Sequence, residues 1–206
     1  MLSAVSVRFA PLAALVALLP AAARAQDLMD LLAKGPVVLV QNNDQGRFDR
    51  ATAVVEIAAP PAKVWEVVSN FSNYRYFMPK VLKSEQRLSG PEFPNQLDVA
   101  YEIDVPLSNA KYTFHYQLDP DKLQIRGKWL KGDLEGSFCE WRLVPYQGRT
   151  LAYYTTASRN FSSLAQRLED SQQTITIGVN VSAALATVKA IKKRVEGLLP
   201  AAAGKP

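Results

Sequence analysis

The sequence predicts an α+β domain, an antiparallel sheet packed against one long C-terminal helix. Two observations carry this. Between Val81 and Ser158, short extended segments follow one another across turn residues, with links far shorter than the crossovers that parallel neighbours need. From Ser171 to Leu199, Val181, Ala184, Leu185, Val188, Ile191, Val195 and Leu198 then recur every three or four residues, opposite Lys189, Lys192, Lys193 and Glu196, the pattern of an amphipathic helix. A single cysteine, Cys139, permits no intramolecular disulfide, so the fold must stand on its core.

The elements justify themselves in order. Residues 1–25 read as a secretory signal peptide: Arg8 supplies the positive region, Phe9–Leu19 the apolar run, and Ala23-Arg24-Ala25 the cleavage site. The run falls short of the ~20 residues of a bilayer span, and no later segment reads as a membrane span. The export pattern points to a periplasmic or secreted protein. Residues 26–46 form an N-terminal extension. Asp27–Lys34 can make a short helix closed by Gly35, and Val37–Val40 is strand-like. The polar stretch Gln41–Gly46 then turns the chain into Phe48–Ala58, so a hairpin is expected. At Pro60-Pro61 the period changes. Proline suits a helix's first turn, and Val64, Trp65, Val68 and Phe71 follow at helical spacing. A second short helix or turn, Asn73–Pro79, carries Tyr74, Tyr76, Phe77 and Met78. The strands after it are expected at Val81–Leu88, Leu97–Val105, Lys111–Leu118, Leu123–Leu130, Glu135–Val144 and Thr150–Ser158. The main domain runs over 47–200, followed by an expected disordered tail at 201–206.

Charge gives little reason to expect a nucleic-acid partner. The formal net charge of +5 includes Arg8 and Arg24 of the expected leader, and removing those two leaves +3. The one basic cluster, Lys192-Lys193-Arg194, lies near a helix C-terminus, where cations oppose the dipole and face water. The Asn-x-Ser sequons at Asn70, Asn160 and Asn180 are read as chance.

Strand alternation assigns faces. Leu97, Val99, Tyr101, Ile103 and Val105 point inward, with Asp98, Glu102 and Asp104 outside. Tyr112, Phe114, Tyr116 and Leu118 point inward, which turns His115 out. Leu123, Ile125 and Trp129 follow inward, while Arg126 and Lys128 face water. Cys139, Trp141 and Leu143 share one face, as do Leu151, Tyr153 and Thr155. The expected ligand-binding wall is therefore Tyr101, Tyr112, Phe114 and Tyr116, with Trp129, Trp141, Tyr153 and Thr155. Phe77 and Met78, beside Tyr76, are candidates for a lid. From the pattern alone a solid core filled by these rings is the favoured reading, and it is the family resemblance given next that turns them into a cavity wall.

The order of elements resembles the START-like (SRPBCC) superfamily of helix-grip folds, closest to its polyketide cyclase and coenzyme Q-binding branch. The resemblance rests on Ala59-Pro60-Pro61-Ala62-Lys63-Val64-Trp65 after a strand, then Phe71, Tyr74, Phe77 and Pro79. Gly132-x-x-x-Gly136-Ser137 leads into Trp141-Arg142-Leu143-x-Pro145, and Thr150-Leu151-x-Tyr153 follows. It covers about residues 50–199. It implies a curved sheet of about six or seven strands around the last helix, two short helices after the first strand, and a cavity between sheet and helix. The N-terminal hairpin would be an addition to that fold.

The commoner catalytic routes lack residues here. His115 is the one candidate base for a Ser-His-Asp arrangement, and Cys139 has no second cysteine or inward histidine for a zinc site or a Cys-His pair. No phosphate-cradling glycine loop appears, and no metal or cofactor is expected. Three readings stay open. The first is a carrier that encloses a lipid, quinone, sterol or polyketide-like molecule. The second is a cyclase- or dehydrase-like enzyme using a carboxylate of raised pKa in the same cavity. The third is an envelope interaction module that presents the N-terminal hairpin as an edge.

Overall fold

The computed structural model describes residues 21–89, 95–104, 109–159 and 172–197, with side chains from Asp27 onward and, in the last segment, from Thr174. The leader up to Pro20, Val105, Asn160, Leu198 and the tail fall outside the described residues.

Helix α1 (Ala21–Leu32) leads into β1 (Val37–Asn42) and β2 (Phe48–Ile57). Helix α2 (Pro61–Val68) and a 3-10 helix (Phe71–Tyr76) follow. Next come β3 (Val81–Leu88), β4 (Gln96–Ile103), β5 (Ala110–Asp119), β6 (Gln124–Gly132), β7 (Phe138–Tyr146) and β8 (Arg149–Ala157), and α3 (Gln172–Val195) closes the order. All strands among the described residues join one antiparallel sheet in the order β1-β2-β8-β7-β6-β5-β4-β3. The sheet has eight strands, more than the six or seven expected, because the N-terminal hairpin is continuous with it. Val37 pairs with Val54, and Val54 with Tyr153. The hairpin turn is held by Asn43, whose Oδ1 accepts from the amides of Gln45 and Arg47, both at 3.0 Å; Gly46 supplies the positive φ, +72°.

The helix before this hairpin changes the faces of the strands beneath it. Residues Leu28, Met29 and Leu32 of α1 pack on Val54, Leu151 and Tyr153, so β2 and β8 are covered on their outer side as well as their inner one. Strands β4 and β5 carry Asp98, Glu102 and His115 on their outer side, and His115 Nδ1 meets Asp98 at 2.8 Å there.

On the inner side α3 crosses β2, burying Ala184, Val188, Ile191 and Val195. Both ends of the helix are tied down. The fully buried Asn180 accepts from the Ser158 amide at 2.7 Å and donates to the Ser158 and Thr176 carbonyls at 3.1 and 2.9 Å. At the other end Lys192 donates to the Glu56 carbonyl and pairs with Glu196, both at 2.7 Å, while Glu196 accepts from the Ala58 amide at 2.9 Å. Lys192 is thus a clasp rather than a water-facing charge. One further expectation needs correcting: Thr174–Val195 is long and apolar enough to cross a membrane by length and composition. Small and β-branched residues give it that composition, and in this fold one stripe of it lies on the sheet.

Candidate functional site

The core is not solid. A cavity of about 400 Å³ lies between the inner face of the sheet, the 3-10 helix and α3, within the ~300–1,000 Å³ usual for small-molecule sites. Its position follows from side-chain size. Beyond its contact with β2, α3 lines the cavity with Val179, Ser182, Ala183, Ala186 and Thr187, most of them small. The opposite wall is aromatic. Tyr101 and Tyr112 lie side by side with centroids 5.4 Å apart, Tyr112 continues to Phe114 at 5.3 Å, and Phe114 to Tyr116 at 6.0 Å. Phe71 stacks on Tyr116 at 4.2 Å. At the inner end Trp141 meets Tyr154 at 4.6 Å. Gly127 makes room for this packing, since a Cβ there would stand 2.4 Å from Tyr116 Cε1 and 2.9 Å from Cys139 Sγ.

The polar atoms of the wall are uncharged. Tyr101 Oη and Tyr116 Oη are 3.3 Å apart, and Cys139 Sγ lies 3.6 Å from Tyr116 Oη. Tyr74 donates to the Val68 carbonyl at 2.7 Å, which fixes the 3-10 helix against the end of α2; Ser84 donates to the Phe71 carbonyl and ties the same helix to β3. Burial pushes Tyr74, Tyr101, Tyr112, Tyr116 and Tyr154 well above the ordinary phenol value. It also pushes the Cys139 thiol up to about 11, against hydrogen bonds with Tyr116 and Tyr154 that pull it down. At neutral pH the wall therefore holds phenols and a thiol, not phenolates or a thiolate. Charge appears at the rim, where Lys80 and Asp104 pair at 2.7 Å with side chains 68% and 48% exposed. Such an exposed pair contributes little stability. Asp104, expected on the outer face, reaches the rim because β4 ends at Ile103 and the Asp104 amide turns to donate to the Lys80 carbonyl at 2.8 Å.

Of the residues read from sequence as the wall, Tyr101, Tyr112, Phe114, Tyr116, Trp141 and Met78 border this cavity. Four do not. Trp129 stays on the inner side opposite Phe114, but its indole N–H donates to the Gly132 and Asp133 carbonyls at 3.2 and 3.1 Å and closes the β6–β7 turn. Phe77 packs edge-on against Tyr74 beneath the Arg194 guanidinium. Tyr153 and Thr155 point to the opposite face, Tyr153 under Arg142 at 4.7 Å and Thr155 bonded to Thr52 at 2.9 Å. Their neighbours Tyr154 and Thr156 take the cavity positions, because Trp141 pairs with Tyr154 and Cys139 with Thr156. Residues Leu151 to Thr156 do not alternate in polarity, so only the register to β7 sets their phase. Sequence reasoning also left out Phe71 and Tyr74 as wall residues, although their spacing of three on one helical turn was a usable signal.

Known proteins agree with this architecture. The family described as "Polyketide cyclase / dehydrase and lipid transport" matches residues 57–197. No curated protein matches the chain. Among solved structures, the aromatase/cyclase Zhui of Streptomyces sp. R1128 superposes with a TM-score of 0.63 at 23% identity, covering 76% of this chain and 99% of that one. A STAR-related lipid transfer protein of Xanthomonas axonopodis gives 0.62 at 18% identity, covering 79% of this chain and 94% of that one. A START superfamily protein of Mycobacterium smegmatis gives 0.56 at 18%, covering 73% and 99%. These likenesses establish the helix-grip fold, and the match over 57–197 establishes the family. The chain belongs to the polyketide cyclase/dehydrase and lipid transport family of the START-like superfamily.

Proposed function

We propose that this chain is an exported carrier that encloses an apolar small molecule, a lipid, quinone, sterol or polyketide-like compound, between its sheet and α3. The observation that carries the reading is the cavity of about 400 Å³ walled by contiguous aromatic rings and uncharged hydroxyls. Burial of apolar area would drive binding at ~25 cal/mol per Å² before the costs of association. Export rests on the order of Arg8, the apolar run Phe9–Leu19 and Ala23-Arg24-Ala25. Cleavage after Ala25 would keep Leu28, Met29 and Leu32, the α1 residues that pack on the sheet.

Carriage is favoured over catalysis by the kind of groups on the wall. General acid–base work needs a group whose pKa lies near the working pH. Among the described residues, the cavity offers phenols and a thiol that burial has moved the wrong way. Glu102 is engaged with Asn109 and Glu140 with Gln124 on the outer side, and Asp104 is held by Lys80 at the rim. The cavity also favours carriage over an interaction module, which would have no use for it.

The test is native mass spectrometry of the protein purified from the envelope fraction of its own host, followed by organic extraction. A bound mass that extraction releases, and that Tyr154→Ala loses while Tyr153→Ala keeps it, is the expected result. Protein that arrives without a guest under gentle conditions would contradict the proposal.

A further inference from the structure

The chemistry of the wall narrows the guest, taking the carrier reading as its basis. Tyr101, Tyr116 and Cys139 are three donors joined by two contacts. Tyr154 is also hydrogen-bonded to the Cys139 thiol, so these groups are engaged with one another. Tyr112 is the group left over. Its ring is fixed between Tyr101 and Phe114, it borders the cavity, and among the described residues no group hydrogen-bonds its hydroxyl.

We infer that the cavity selects an uncharged, oxygen-bearing hydrophobic molecule, and that the Tyr112 hydroxyl reads its carbonyl or hydroxyl oxygen. Alternatives fail on desolvation. A carboxylate or ammonium drawn in past the rim would meet no opposite charge among the described residues, because Lys80 and Asp104 satisfy each other outside, and an unpaired buried charge is strongly disfavoured. A pure hydrocarbon would strip water from Tyr112 and return no hydrogen bond. The phenols stay protonated at neutral pH, so they offer hydrogens to a neutral oxygen.

Three probes of one ring skeleton separate these cases: anthraquinone, anthracene and anthracene carboxylate. Each is titrated into delipidated full-length protein and followed by quenching of tryptophan fluorescence, Trp141 being part of the wall. The expected order of affinity is anthraquinone, then anthracene, then the carboxylate. Tyr112→Phe keeps the ring and removes the hydroxyl. It should weaken anthraquinone by about 3- to 10-fold, the range of one neutral hydrogen bond, and leave anthracene unchanged. Tyr153→Phe, on the opposite face, should change neither. Equal effects of Tyr112→Phe on both neutral probes, no effect on either, or a carboxylate bound as tightly as the quinone would overturn the inference. Binding by none of the three would instead sink the carrier reading on which it stands.

Discussion

Filling the cavity from α3 should stabilise the protein and impair binding at once. Ala186 lies on the cavity side of the helix, one turn from Ser182, and no backbone need move for Ala186→Leu to extend three further carbons into empty space. At ~0.8 kcal/mol per buried carbon, less ~0.5–1 kcal/mol of leucine rotamer entropy, the gain is ~1.5 kcal/mol. For a chain of this size that is ~3–6 °C in Tm. The same branch would occupy volume that a guest needs, so affinity for anthraquinone should fall about tenfold, equivalent to ~1.4 kcal/mol.

The comparison requires delipidated samples, since a guest bound only to wild type would raise its apparent stability by mass action. Scanning calorimetry of extracted protein and fluorescence titration give the two readouts. A large-to-small substitution in a packed core lowers stability, and a small-to-large one in a packed core does too, by ~1–3 kcal/mol. Opposite signs in stability and binding therefore belong to a hollow. If Ala186→Leu lowers Tm, the space beside α3 is not there, and the argument from small residues to cavity to guest is wrong at its first step.

Four other outcomes are expected. Asn180→Ala should cost ~1–3 kcal/mol in urea unfolding, because it leaves both the amide and the carbonyl of Ser158 without their buried partner; a loss within error of zero would mean that α3 is not held there. Cys139, with its thiol raised from 9.0 to about 11, should alkylate at pH 8 about 100-fold more slowly in the folded protein than in the unfolded one. The folded pKa is the higher, so the folded state keeps this proton after the unfolded chain has released it, and stability should decline as pH rises from 9.0 to about 11. Gly127→Ala should cost ~1–3 kcal/mol and weaken anthraquinone, since its Cβ would drive the Tyr116 ring, already stacked on Phe71, toward the cavity; unchanged unfolding would show that Tyr116 yields freely.

How much of this was legible in the sequence depended on what covers each strand. On β4 and β5 one face meets solvent, so Leu97, Val99 and Tyr101 alternate with Asp98 and Ala100, and Tyr112, Phe114 and Tyr116 with Thr113 and His115. The facing of Tyr101, Tyr112, Phe114 and Tyr116 could be read directly. Strand β8 has no such contrast: Leu151 and Tyr153 lie under α1, while Ala152, Tyr154 and Thr156 face inward. Burial on both faces removes alternation, and the reading slipped by one residue there. The N-terminal extension, set aside as an addition, is the reason, because α1 covers that outer face. Trp129 failed for a different cause. Its facing was right, but the β6–β7 turn claimed its indole through the carbonyls of Gly132 and Asp133, a local bond that strand periodicity does not express.

The hollow itself was written in the helix and passed unnoticed there. A heptad-like stripe identifies the side that packs, and Ala184, Val188, Ile191 and Val195 do pack on β2. It says nothing of the flank beside it, where Val179, Ser182, Ala183, Ala186 and Thr187 fall. Small residues alone would not leave a gap, because a free helix would settle toward the sheet until contact was made. Here it is held at two points, by Asn180 on Ser158 and by Lys192 and Glu196 on the Glu56–Ala58 backbone. With its height fixed by those clasps and its inner flank cut short, α3 cannot close on Tyr101, Tyr112 and Tyr116. Fixed clasps and short side chains together make the cavity, and removing either should close it.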